Sequence, residues 1–346
     1  MEKNEFTLSE RKNNILLDAV ERYIDNAIPI TSSNVQENSF KNLSSATLRN
    51  ELNALEELGF LKQLHTSGGR IPTTKAYRYY VNNLFKGGNI DASKFGTVKE
   101  RFTKRSAYLK EVLNDLAKYI SSVTSYPTFV MTKGYQDLII KGVNIIPLIS
   151  GQGLVLFQTD AGLINNTISL SEEITEENCK DASKFLTSSF YNKTIKDIFE
   201  HIDEYSNSFN NQIDSYQNLF NSLIQVLEGY VNNGMSFLTN SNTTKLLEKP
   251  EYKDINSAKK FLNILENEEE IKNIMDSMDD NSTNDIVFTI GDENLDKKYS
   301  DYSIIQANYT LGNGVVTKIG VLGPERMDYA KIAGALKYVV DEMKKE

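Results

Sequence analysis

"SSATLRNELNALEELGFLKQLHTSGGRIPTTKAYRYYV", residues 44–81, is the stretch whose reading decides the fold. Ser44 stands where a helix N-cap belongs, Leu48, Leu52, Leu55 and Leu58 follow on one helical face, and Gly59 takes the closing C′ position. Phe60–Leu64 reads as a short strand, Thr66-Ser67-Gly68-Gly69 as a turn and Arg70-Ile71-Pro72 as the returning strand. Pro72 has no N–H to donate, which confines that strand to an edge or an end. Thr73 is placed to cap a further helix with Tyr77, Tyr80, Val81 and Leu84 on its inner face. A helix, a small hairpin and a second helix form the latter part of a winged helix.

The residues upstream supply the rest. Thr7-Leu8-Ser9-Glu10 has capping-box spacing, and Ile15, Leu16, Ala19, Val20, Tyr23 and Ile24 continue an amphipathic helix to about Asn26. Pro29 breaks the chain, and Thr31 or Ser32 can cap a short second helix to about Asn38. Three helices, the third after a short connection, match a helix-turn-helix core.

Charge points to what this domain touches. The whole chain has a net charge of −9, yet residues 1–86 carry 11 Lys+Arg against 10 Asp+Glu, and residues 60–86 contain no acid at all. Asp or Glu there would repel phosphates, whereas cations placed on phosphates release counterions. On the third helix, Ala46, Arg49, Asn50, Asn53 and Glu57 fall opposite the leucines. Arg can bond guanine bidentately and Asn adenine, so Arg49, Asn50 and Asn53 are candidate base readers, with Ser45 and Thr47 near the phosphate-contacting end. An ordinary solvated helix face would look the same. In the hairpin, Lys62, His65, Thr66, Ser67 and Arg70 are candidate phosphate donors, Arg70 also suiting a narrow minor groove. Lys75 and Arg78 are expected to stand exposed on the fourth helix as further backbone contacts.

At these residues the sequence closely resembles the HrcA family of bacterial heat-inducible transcription repressors. "SSATLRNELNALEELGFL" with "HTSGGRIPTTKAYRYYV" carries the resemblance at one end. "IVFTIGDEN" and "GVVTKIGVLGPERMDYAKI" carry it at the other, with "NSNTTKLLEKPEYKD" between. The family usually has an acid where Thr74 stands, a small hydroxyl residue at Glu325, Ala at Gly68 and Gly at Ala76. The resemblance implies a homodimer that represses class I heat-shock (chaperone) operons through an inverted-repeat operator called CIRCE. It also implies assistance from the GroE chaperonin and a GAF-like body carrying an inserted dimerisation domain.

Beyond Gly87-Gly88 the pattern is α+β. Residues 91–125 read as a helical connector. Strands are expected at 128–132, 139–147, 153–159 and 165–170, helices from about 172 to 230, strands at 286–290, 302–308 and 315–322, and a last helix from about Met327. The expected layout is a winged helix over 1–88, a connector over 89–126, a GAF-like domain over 127–170 and 233–346, and an insert over 171–232. Phe220, Leu223, Ile224, Leu227 and Val231 cover more than one face of a helix, so it is buried from two sides, either within a domain, which the residues alone favour, or between subunits. With the resemblance, these residues are the candidate dimer contact.

Other chemistry finds little support. Two histidines and one cysteine, Cys179, cannot build a four-ligand Cys/His zinc cluster, and no nucleophile motif occurs, so neither metal, cofactor nor enzyme is expected. Gly323-Pro324-Glu325-Arg326 before a helix reads as a structural turn, with Arg326 paired to a neighbouring carboxylate. The absence of a long apolar run and of a signal-like N-terminus, with a lone cysteine, fits a cytoplasmic protein. A ligand-responsive repressor whose body binds a small molecule is the alternative reading, distinguished by a metabolite that alters operator affinity.

Overall fold

The computed structural model describes residues 8–64, 69–86, 109–210, 217–233, 235–239, 246–278, 286–311 and 315–344. The N-terminal part is a winged helix: α1 (Glu10–Asn26), α2 (Ser32–Asn38), α3 (Ser45–Glu57), β1 (Leu61–Gln63), β2 (Arg70–Pro72) and α4 (Thr74–Leu84). The caps explain the boundaries. Ser44 accepts from the Thr47 N–H, and Gly59, at φ 76°, closes α3 where a side chain would be strained. Thr31, rather than Ser32, caps α2 in a reciprocal box with Asn34. Two details differ from expectation. Ser9 caps α1, and Thr7, where the capping box is expected, lies outside the described residues. Thr73 sits at the N-cap of α4 but turns its hydroxyl to the carbonyls of Gly59 and Phe60, at 2.8 and 3.0 Å, tying the hairpin to the end of α3.

Ile15, Leu16, Val20, Leu48, Leu52 and Leu55 are buried together with Phe60, Tyr77 and Val81, so each helix lends its apolar stripe to one small core. The hairpin is anchored at its base. Ile30, between α1 and α2, exchanges both backbone hydrogen bonds with Arg70, at 2.7 and 2.9 Å. Gly69 permits the approach, since a Cβ there would lie 2.7 Å from that of Pro29.

The body is built on an antiparallel sheet of β3 (Thr128–Lys133), β7 (Met235–Thr239), β8 (Ile286–Ile290), β9 (Tyr302–Leu311) and β10 (Val315–Pro324), in the order β7-β3-β10-β9-β8. Two helices, α5 (Leu109–Thr124) and α12 (Tyr329–Met343), cover one face. On that side Ser303 Oγ meets Tyr329 Oη at 3.0 Å and Tyr309 Oη reaches the Met343 carbonyl. On the opposite face lie α10 (Ile255–Glu266) and α11 (Glu268–Ser277), with Phe261 against Tyr302 and Met275 over Gly320. Residues 255–277 and β7 were not anticipated as regular elements by the sequence reading.

Between β3 and β7 the chain leaves this sheet. Among the described residues β4 (Ile140–Pro147), β5 (Gln152–Thr159) and β6 (Gly162–Ser169) form a separate three-stranded sheet, and α6 (Glu176–Phe190), α7 (Ile195–Glu200), α8 (Ile202–Asn210) and α9 (Gln217–Asn233) follow. The expected boundary at 171 therefore falls inside a structural unit. The excursion begins after β3, because three strands assigned to the main sheet form their own. The outward edge of β4 is closed: the Ser183 hydroxyl accepts from the Ile145 N–H and the Thr187 hydroxyl from the Val143 N–H, each at 2.9 Å, which blocks strand addition.

The expected dimer contact on α9 falls mostly on residues already buried within one chain. Phe220, Leu223 and Leu227 are buried within one chain, at 2%, 1% and 0% exposure, while Ile224 and Val231 are only half-buried. A helix apolar on two sides is satisfied here by its own subunit: Tyr230, on the same helix, stacks near Tyr135 and donates to the Asn165 carbonyl.

Candidate nucleic-acid interface

The site begins with α3. Its core-facing leucines fix its rotation, and Ala46, Arg49, Asn50, Asn53 and Glu57 all emerge into solvent on the far side. Among the described residues neither Arg49 nor Asn50 has a hydrogen-bond or ionic partner, so their donors and acceptors stay available to base edges. Ser45 is half-buried and donates to the Ser32 hydroxyl at 3.1 Å, and Thr47 shares a 2.9 Å hydrogen bond with Ser44. Both lie at the N-terminal end of α3, where backbone N–H groups and the helix dipole favour phosphate.

Arg70 differs from expectation. Its Nε donates to Glu56 Oε2 at 2.7 Å and its Nη2 donates to Asn53 Oδ1, so the guanidinium braces β2 to α3 instead of projecting from the hairpin. Its side chain is 12% exposed. Lys75 also folds back: its Nζ donates to the Leu58 carbonyl at 2.7 Å and lies 4.5 Å from the centre of the Phe60 ring. Lys62 remains exposed on β1. His65, Thr66 and Ser67 lie outside the described residues.

Arg78 is turned away from the exposed face of α3 altogether. Its guanidinium grips both carboxylate oxygens of Glu293, the Nε–Oε1 arm at 2.6 Å, and donates to the Phe288 carbonyl at 2.8 Å. One position earlier on the helix, Tyr77 packs on Tyr329, at 6.0 Å between ring centres. Thr74 donates to Glu325, and Arg326 donates to the Ile24 carbonyl near the end of α1 and grips Glu251, at 3.0 Å for the Nη2 arm. Thus α4 and the C-terminal end of α1 are the body-facing side of the winged helix, and α3 is left to the solvent side. Pairing of Arg326 with a carboxylate matches the reading of its turn. Glu56, Glu293 and Glu251 were missed as partners; nothing local in sequence marks a contact between residues 215 apart.

Burial pushes the Glu325 carboxyl upward from its ordinary 4.5, opposed by the Thr74 hydrogen bond and the Lys62 charge and reinforced by Asp292 and Asp301. Burial likewise raises the Tyr77 and Tyr329 phenols, keeping them neutral in this junction. No group of three metal-ligating side chains occurs among the described residues. No described helix is long and apolar enough to cross a membrane.

Comparison with known proteins agrees with this geometry. The family model described as "Winged helix-turn-helix transcription repressor, HrcA DNA-binding" matches residues 7–84, and that described as "HrcA protein C terminal domain" matches residues 110–333. The chain belongs to the HrcA family. Among relatives named heat-inducible transcription repressor HrcA, that of Ruminiclostridium cellulolyticum is 30% identical over 342 residues, covering 98% of this chain and 97% of the relative. That of Acetivibrio thermocellus is 31% identical over 340 residues, covering 97% and 95%. HrcA relatives are thus transcription repressors, a non-enzymatic function, and the winged helix is the family's DNA-binding domain. A crystal structure titled only as a hypothetical protein at 2.2 Å resolution shares the fold, with a TM-score of 0.71 at 20% identity over 98% of both chains.

Proposed function

We propose that this HrcA-family chain is a dimeric repressor of chaperone operons that binds a CIRCE-type inverted repeat and releases it on heat stress. The observation that carries the reading is the exposed pair Arg49 and Asn50, unpartnered among the described residues, on a helix whose opposite face is locked into the winged-helix core. With α3 in the major groove, these two and Asn53 read base edges while Ser45, Thr47 and Lys62 meet the backbone. Two subunits about a two-fold axis then read two inverted half-sites.

The body fits a GAF-like domain, an antiparallel sheet with helices on both faces, and the excursion between β3 and β7 fits an inserted dimerisation domain. Its helices cover one side of β4–β6. Ile146 and Leu148, at 44% and 45% exposure, and Ile149, at 90%, lie at the uncovered side and the adjoining turn, which supports a subunit contact there instead of on α9. The GroE chaperonin would assist the chain into this active form.

Fluorescence anisotropy against an intact inverted repeat, and against the same duplex with one half scrambled, tests the reading at fixed salt. Preference for the intact repeat by about 10³-fold is expected. Equal, weak binding to both after refolding with chaperonin would overturn it.

A further inference from the structure

Among the described residues the winged helix and the body meet through three polar contacts, two from α4 and one from α1. Thr74, at the start of α4, donates to Glu325, in the turn before α12. One turn further along α4, Arg78 is held by Glu293 and the Phe288 carbonyl. On the other side of the domain Arg326, the neighbour of Glu325, takes the Ile24 carbonyl of α1 at 2.5 Å while Glu251 neutralises it. Two adjacent residues of one turn thus hold two different helices of the DNA-binding domain. Contacts on α1 and α4 together suppress rotation that a single contact would allow.

The body side of this junction is built to hold its shape. Buried Asn294 donates to the carbonyls of Gly291, Tyr299 and Tyr302, at 2.7, 3.0 and 2.9 Å, fixing the turn that carries Glu293. Gly291, at φ 51°, lies where a Cβ would fall 1.8 Å from Glu325 Oε1 and 2.7 Å from Thr74 Oγ1. Only glycine lets that pair close.

We propose that Glu325, Glu293 and Arg326 are positioning residues which clamp the winged helix at a fixed angle on the body and thereby set the half-site spacing that a dimer accepts. This rests on the dimeric-repressor reading above. A rigid linkage makes the second half-site contact intramolecular only at one spacing, whereas a loose one tolerates several.

The test is anisotropy of the full-length protein against inverted repeats whose spacer is lengthened or shortened by one to five base pairs, alongside a single half-site. Wild-type protein should favour one spacing by about tenfold or more. Glu293→Gln and Glu325→Thr should flatten that preference with half-site affinity unchanged. Should Glu325→Thr weaken folding, the exchange variant Thr74→Glu with Glu325→Thr restores donor and acceptor and should restore the spacing preference. Retained spacing preference in Glu293→Gln and Glu325→Thr, or a folded exchange variant that stays indifferent to spacing, overturns the clamp. A wild type indifferent to spacing also overturns it, and one indifferent to the repeat itself overturns the dimeric-repressor reading beneath it.

Discussion

Arg70 and Glu56 are joined by a 2.7 Å ion pair that ties the returning strand of the wing to α3, and Asn53 shares the same guanidinium. The strongest cation of the hairpin is therefore spent inside the domain. That changes what it is expected to do for DNA.

Arg70→Ala should weaken operator binding by loosening the wing and freeing Asn53, with no change in salt dependence, because no phosphate contact is lost. In a double-mutant cycle with Glu56→Ala the two effects should be non-additive, with a coupling of about 1 kcal/mol in stability. Titrations at several salt concentrations check this. A slope reduced by about one ion would return Arg70 to the phosphate backbone.

Arg49→Ala and Asn50→Ala act on the other side of α3. Each side chain is exposed and does not contribute to the core, so melting should stay within about 0.5 kcal/mol of wild type. Operator affinity should fall by about 1–3 kcal/mol for each, with non-specific binding far less affected. Competition between operator and random duplex measures both. Unchanged discrimination would remove α3 from the major groove.

The winged helix was legible because its signals are local. Ser44, Gly59, Thr31 and the leucine spacing each act within one or two turns, and the structure places α3 from Ser45 to Glu57 as they require. What sequence could not give is pairing at a distance. β3 meets β10 through Val130 and Ile319, far apart in the chain, and nothing in either strand tells which sheet it joins. Strands β4–β6 follow β3 directly in sequence and yet belong to a separate sheet. Arg78 and Arg70 looked like DNA cations because composition reports charge without its partners; Glu293 and Glu56 decide where those charges go.

Truncation within α9 should distinguish core from interface. Leu227 is fully buried in its own subunit, so Leu227→Ala should cost about 2–5 kcal/mol in unfolding free energy. Molecules that remain folded should still associate. Ile146→Asp, on the uncovered side of β4, should keep the circular dichroism of wild type and move sedimentation toward the monomer. A Leu227→Ala protein of normal stability that fails only to dimerise would place the interface back on α9.

Glu325 gives the junction a pH dependence whose sign follows from its burial. Its carboxyl is raised above the ordinary 4.5, burial being the largest cause, with Asp292 and Asp301 adding repulsion and Thr74 and Lys62 opposing. Between the unfolded value and the raised native value the folded protein holds a proton that the unfolded chain has lost. Stability from this group is therefore fully present below about pH 4.5 and declines as pH rises through the native value. Other carboxylates run the opposite way, so the comparison is wild type against Glu325→Gln, which keeps an acceptor for the Thr74 hydroxyl and cannot ionise. Their difference in unfolding free energy, wild type minus variant, should fall as pH is raised from 4 toward neutrality, and denaturant titrations at a series of pH values read it directly. A difference that stays flat, or that grows with pH, would mean Glu325 ionises in the folded protein as readily as in water, and that the hydroxyl of Thr74 and the charge of Lys62 outweigh its burial.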